Sequence, residues 1–251
     1  MLAWRVSPDY PLVVAANRDE FFDRPTAPAA FWGDHPNVLA GRDLSGGGTW
    51  MGITRNLRFA ALTNVRESRE TFRPDAPSRG KLVSEFLIAR RRPDTYTKAV
   101  ARQGGQYNGF NLLVADREML YYHCNRGNAL KELPPGIYGL SNHALDTPWP
   151  KLETARERFT ASVERMPDYE AMFEMLIDDS PAPDDQLPET GVGIEWERVL
   201  SSVFVKSANY GTRSSTIIAV RADNSVRFIE RRFGPGGAPA GGTDVAFMAE
   251  V

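Results

Sequence analysis

The sequence is short of the residues from which disulfide frameworks, metal centres and membrane spans are built. It has a single cysteine, Cys124, which excludes an internal disulfide and any multi-cysteine zinc site. Its three histidines, His35, His123 and His143, are scattered, and no spacing among them suggests a metal centre. No apolar run approaches the roughly 18 residues a membrane-spanning helix needs. The first residues, "MLAWRVSPDYP", lack the basic-then-apolar layout of a secretory signal. Neither sign of charge is in excess: 30 basic against 32 acidic side chains give a formal net charge of -2, so no nucleic-acid or anionic-membrane partner is advertised. The cytoplasm is the default compartment, and no cofactor is called for.

What is present suits a globular enzyme or binding protein. The 251 residues are 42% hydrophobic and 25% charged, enough to bury a sizeable core. Leu2 to Val6 and Leu12 to Ala16 are short apolar runs joined by "SPDYP", a turn by composition, and predict a hairpin. Thr49 to Thr54 and Arg58 to Val65 form a second hairpin, and "GFNLLVADREMLYYHCNRG" a third. "SRGKLVSEFLIARRR" reads as a helix, with Ser78 as N-cap and Leu82, Val83, Phe86 and Leu87 on one face. A second helix is expected from Thr95 to about Gln103. "DTPWPKLETARERFTASVERM" predicts a further helix, capped by Thr147, with Pro148 in the first turn and Leu152, Ala155, Phe159 and Val163 as its buried stripe.

"DYEAMFEMLIDD" continues as another helix, whereas Asp178 to Gly193 reads as an exposed loop. "TRSSTIIAVRADNSVRFIERRF" is a last hairpin, followed by a Gly-rich link and a short strand ending at Val251. Hairpins imply antiparallel sheets, and helices segregated from strands imply an α+β layered architecture. No composition break marks a boundary, so a single domain over 1–251 is expected.

"AANRDEFFDRP" raises a sharper question, because Asn17, Arg18, Asp19 and Glu20 follow an apolar strand with no turn signal between. If Val6 faces Leu12, antiparallel pairing sets Trp4 against Val14 and Leu2 against Ala16, and the polar residues overhang the first strand. A polar strand end with an empty seat opposite is one wall of a site, or else a structural ion pair at a strand end.

Seven segments, "ANRDEF", "GRDLSGGGTWMG", "LTNVRE", "SRGKLV", "YNGFNLL", "GLSNHALDTPWPK" and "YGTRSST", occur in order over nearly the whole chain. Together they resemble the NRDE family, that of transport and Golgi organization protein 2. The resemblance implies a four-layered αββα fold similar to N-terminal-nucleophile hydrolases. Members typically begin Met-Cys, and processing exposes that cysteine. This chain begins "MLAWRV", so the nucleophile is absent from it, and the pairing register puts roughly three to five residues ahead of Met1. Either the start lies too far downstream or the nucleophile is lost; the retained polar residues favour the first. Cys124, mid-strand in "YYHCNR", reads as a structural thiol rather than a substitute.

In such hydrolases the free α-amine, with a reference pKa of about 7.7–8.0, serves as base for its own thiol. A guanidinium stabilises thiolate and oxyanion, a carboxylate orients the amine, and amide donors form an oxyanion hole. By resemblance Arg18 and Asp19 fill the first two roles, Asn142 is an oxyanion donor and Arg213 the second arginine. Asn17, Asn64, Trp50 and Tyr210 are expected to line the substrate. Plainer alternatives stand beside these: Asn142 as a turn residue, Arg213 as a solvated strand-edge residue, and "SGGGTW" as close backbone packing rather than a phosphate loop. The implied function is hydrolysis of a small acylated amide at a non-peptide C–N bond. The alternative is a non-catalytic carrier of haem or an acyl or lipid-type ligand, in a cavity lined by Trp32, Trp50 and the arginines.

Overall fold

The first hairpin sets the pattern of the structure, a computed structural model that describes residues 1–68, 70–127 and 129–250. Strand β1 (Leu2–Trp4) pairs antiparallel with β2 (Leu12–Phe21), with Trp4 opposite Leu12 and Leu2 opposite Val14. The expected register is therefore wrong by two residues. Arg5 takes a positive φ of 50° and its N–H donates to Pro11 O, so the turn begins at Arg5 and leaves Val6 outside the strand, 42% exposed. Strand β2 also runs five residues past Ala16, through the whole polar stretch.

The chain continues through β3 (Thr26–Phe31), β4 (Val38–Asp43), β5 (Met51–Thr54), β6 (Phe59–Asn64), α1 (Gly80–Ile88), α2 (Pro93–Gln103), β7 (Phe110–Ala115), β8 (Leu120–Cys124), β9 (Ala129–Glu132) and β10 (Gly136–Tyr138). It ends with α3 (Pro150–Glu164), α4 (Glu170–Leu176), α5 (Ile194–Val199), β11 (Tyr210–Val220), β12 (Ser225–Phe233) and β13 (Pro239–Met248). The result is an α+β protein with two antiparallel sheets: six strands in the order β10-β1-β2-β11-β12-β13, and seven in the order β3-β4-β5-β6-β7-β8-β9.

The chain divides into two compact units. One holds residues 1–24, 135–140 and 145–247; the other holds 25–134, 141–144 and the tail from Met248. In the first unit, Phe159 and Val163 of α3 and Phe173, Met175 and Leu176 of α4 pack on Ala3, Val13, Ala15, Ile217 and Ala219 from one face of the six-stranded sheet. The opposite face is buried too, at Leu2, Trp4, Val14, Ile218, Val226 and Phe228. In the second unit, Leu82, Val83, Phe86 and Leu87 of α1 with Tyr96 and Val100 of α2 cover Val38, Ala40, Ala60, Leu112 and Val114.

Several local expectations are corrected. Ser78 and Thr147 do not cap helices: α1 begins behind Arg79 and α3 behind Trp149, neither with a side-chain cap, and Pro150 rather than Pro148 occupies the first turn. Strands β3, β4 and β9 and helix α5 appear where no element was expected. The final strand is not short; it starts inside the Gly-rich link at Pro239, and Val251 lies outside the described residues. "SGGGTW" is close backbone packing: a Cβ on Gly48 would stand 2.4 Å from the Gly80 backbone, and Thr49 N–H donates to Gly80 O.

Candidate functional site

Strand β2 stays extended through Asn17 to Phe21 because β11 pairs with it along its full length, from Val220 opposite Leu12 to Tyr210 opposite Phe21. On its other edge the pairing with β1 ends where Met1 and Ala15 exchange hydrogen bonds of 2.8 and 3.0 Å. Among the described residues no strand is paired to that edge of β2 beyond Ala15.

Alternation sorts the polar residues of β2 onto two faces. Asn17 lies on the helix-covered face, where its Nδ2 donates to Leu176 O at 2.7 Å and Val203 O at 2.9 Å and its Oδ1 accepts from Ser215 Oγ at 2.6 Å. Asp19, two residues on, accepts from Thr212 Oγ1 at 2.7 Å, and that oxygen in turn accepts from Val205 N–H at 2.9 Å. Both side chains thereby tie the segment around residues 203–205 to the sheet.

Arg18 takes the other face and is 9% exposed. Thr212 pairs with Asp19, and a β-bulge at Arg213 shifts the pairing between Thr212 and Ser214. Arg213 is the extra residue, and its Nη1 donates to the carbonyls of Phe21 (3.1 Å) and Arg24 (2.5 Å). Across from Arg18 stands Ser214, in the register that runs unbroken from Val220 opposite Leu12. It is opposed on its far side by Arg232, and Thr216 is flanked in the same way by Ala16 and Glu230. Two rows cross three strands on one face: Arg18, Ser214, Arg232, then Ala16, Thr216, Glu230. Ser214, Thr216 and Glu230 are all at most 4% exposed. Glu20 stands 3.9 Å from Arg18 and 3.6 Å from Arg24, and Glu230 stands 3.9 Å from Arg232.

Tyr210 sits at the end of β11 with its ring edge-on to Phe21 (5.1 Å) and Trp196 (6.0 Å). The first unit thus holds Asn17, Arg18, Asp19, Tyr210 and Arg213 of the expected residues. Asn64, Trp50 and Asn142 belong to the second. There Asn142 Nδ2 donates to Asn64 O at 3.0 Å, and Asn142 O accepts from Arg66 N–H at 2.7 Å, so its amide ties 141–144 to the end of β6. Trp50 lies over Gly41, where a Cβ would meet its Cη2 at 2.3 Å. Trp32 is buried, donates from Nε1 to Ala40 O and carries Arg42 over its ring at 4.5 Å.

Cys124 is buried, but it is the last residue of β8 rather than mid-strand as expected, and its Sγ accepts from Arg126 N–H at 3.4 Å. Neighbouring His123 is buried with Nδ1 2.9 Å from Ala129 O, and burial pushes its pKa down from the usual imidazole value. Among the described residues no group of three or more His, Cys, Asp or Glu could hold a metal ion.

The residues that sequence reasoning missed are Ser214, Arg232, Thr216 and Glu230. One signal could have found them: Val226, Phe228, Glu230 and Arg232 alternate as Leu12, Val14, Ala16 and Arg18 do, an apolar face running into charge, and Val220, Ile218, Thr216 and Ser214 run into hydroxyls in the same way. Only the pairing of β11 between β2 and β12 sets those hydroxyls beside the charges.

Comparison with known proteins follows this geometry. The sequence model of one family, described as transport and Golgi organisation 2, matches residues 1–235. The chain is 39% identical over 241 residues to the transport and Golgi organization 2 homolog of Mus musculus, covering 88% of this chain and 86% of that protein. It is 40% identical over 240 residues to the homolog of Bos taurus, with the same coverage of each chain. The Drosophila melanogaster transport and Golgi organization protein 2 is 28% identical over 247 residues, again at 88% and 86%.

Proposed function

This chain belongs to the transport and Golgi organisation 2 family, and from that premise we propose that it is a cytoplasmic hydrolase of the N-terminal-nucleophile type, acting on a small acylated amide. The observation that carries the reading is the buried guanidinium of Arg18, set on a strand whose one edge is paired by β11 and whose other edge, among the described residues, carries no strand beyond Ala15. A thiol, hydroxyl or amine standing along that edge would share the face of Arg18 or of Asp19. Attack by such a group on the amide carbonyl makes a tetrahedral oxyanion, and a fixed guanidinium in a dry setting is suited to stabilise it. Collapse expels the amine with a proton and leaves an acyl group on the nucleophile, which water releases as the acid. Asp19, held by Thr212 Oγ1, is oriented to position a protonated amine.

A second reading, a carrier without turnover, is favoured by the same rows, which offer guanidinium and hydroxyl groups to an oxygen-bearing ligand whether or not a bond breaks. For haem, Arg18 and Arg232 suit propionates, but the rows contain no imidazole or thiolate for the iron; an acyl or lipid-type ligand fits better. Mass spectrometry of acid release from a panel of N-acyl amides tests the choice. Hydrolysis that falls about 100- to 1,000-fold in Arg18→Gln supports the enzyme. Saturable retention without release supports the carrier, and the absence of both release and binding for every ligand tried sinks both readings.

A further inference from the structure

Two donors in the first unit are left by the fold without an acceptor. Ser214 is 4% exposed, and its Oγ has no hydrogen-bond partner among the described residues. Arg232 stands opposite it on β12, and its Nε is likewise buried and without a hydrogen-bond partner among the described residues. Glu230 Oε1 lies 3.9 Å from that nitrogen, an ion pair too long for a hydrogen bond. Directly opposed strand residues have Cβ atoms about 5 Å apart, so one small group reaches both side chains. An arginine Nε–H only donates, and a serine hydroxyl donates as readily as it accepts. The shared complement is an acceptor oxygen.

The surroundings narrow the chemistry. Ion pairs already stand beside the two donors, Glu20 with Arg18 and Arg24 at 3.9 and 3.6 Å and Glu230 with Arg232 at 3.9 Å. With Glu230 2% exposed so close, a singly charged carboxylate meets less repulsion than a phosphate dianion. The row is closed at Arg18 and opens at Arg232, whose side chain is 33% exposed. Arg232 Nη2 packs over Gly241 of β13, where a Cβ would stand 2.9 Å from it.

We propose that Ser214 and Arg232 form a carboxylate subsite, so that the acylated amide taken by this protein carries a free carboxylate, as an N-acyl amino acid does. The assignment rests on the reading of the Arg18 row as ligand-binding. Native proteins seldom leave buried donors unmet, and such groups are explained by a ligand, an ion or an ordered water.

The test compares N-octanoylglycine with N-octanoylglycinamide by calorimetry and thermal shift on the full chain. The acid is expected to bind at least tenfold more tightly than the amide, and Arg232→Gln to erase that difference. Ser214→Ala is expected to weaken the acid about fivefold while leaving the ligand-free Tm unchanged or raised, because deleting a buried unmet hydroxyl removes a desolvation cost. A fall in the ligand-free Tm of Ser214→Ala would show that water satisfies the hydroxyl within the fold, and overturns the assignment. Equal binding of acid and amide, still sensitive to Arg18→Gln, overturns the subsite and leaves the wider reading standing. Absence of binding by either probe overturns both.

Discussion

Asn17 commits its whole amide to the fold: two N–H donors on the carbonyls of Leu176 and Val203, and its oxygen on Ser215. The first of those carbonyls ends α4, so the side chain fastens a helix C-terminus to the sheet. Asn17→Asp replaces two donors with an acceptor-only group facing two carbonyls. We expect it to cost about 2–4 kcal/mol, more than Asn17→Ala, since unmet buried carbonyls and a misdirected charge add. Urea denaturation of the two variants measures the difference, and equal midpoints would sink the account. His123 carries a second residue-scale prediction. Its folded pKa lies below the unfolded imidazole value of about 6.5, because burial disfavours the charged ring. Its contribution is therefore complete above that value and is lost as pH falls through the folded pKa. Stability measured by denaturant between pH 7.5 and 5 should fall more steeply in the wild type than in His123→Gln.

At the scale of elements, α1 ends on a buried arginine. Arg58 donates from Nε and Nη2 to Phe86 O and from Nη2 to Arg91 O, with its guanidinium 4.0 Å from the Phe86 ring centroid. Cationic donors on helix-terminal carbonyls are favourable, and burial holds this guanidinium's pKa below its usual value. Arg58→Ala should lose about 2–3 kcal/mol and fray α1, visible as faster amide exchange at Phe86 to Ala89. Gly48→Ala should also destabilise, because the new methyl meets the Gly80 backbone at 2.4 Å, and Tm reports it. Helices α1, α3 and α4 were legible because their apolar residues repeat at the helical period. Strands β3 and β9 were not, being short and set at the edges of their sheet, and β3 is interrupted at Pro28 where its register shifts. The bulge at Arg213 was beyond reach, because a register shift belongs to the pair of strands and not to either one.

The whole molecule is assembled from segments far apart in the chain. The six-stranded sheet pairs β2 with β11, nearly 200 residues later, whereas every strand of the seven-stranded sheet lies between residues 26 and 132. A fragment of residues 135–247 therefore lacks the strand that covers one whole edge of β11. We expect it to aggregate or remain unfolded alone, and to gain dispersed NMR signals when the peptide 1–24 is supplied in trans. Folding of the fragment without the peptide would refute that dependence.

By itself the sequence determined the α+β class, the antiparallel hairpins and the helical stripes, because these follow from local periodicity and turn chemistry. Its ordered motifs also determined the family, and the alternation along β2 marked Arg18 as a charge on an apolar face. Only the tertiary structure decided that Asn17 is spent on two backbone carbonyls, that Arg213 is a bulge residue, and that Ser214 Oγ and Arg232 Nε find no hydrogen-bond acceptor among the described residues. Those facts depend on register and on contacts between distant segments, and a one-residue bulge shifts the pairing of every residue beyond it.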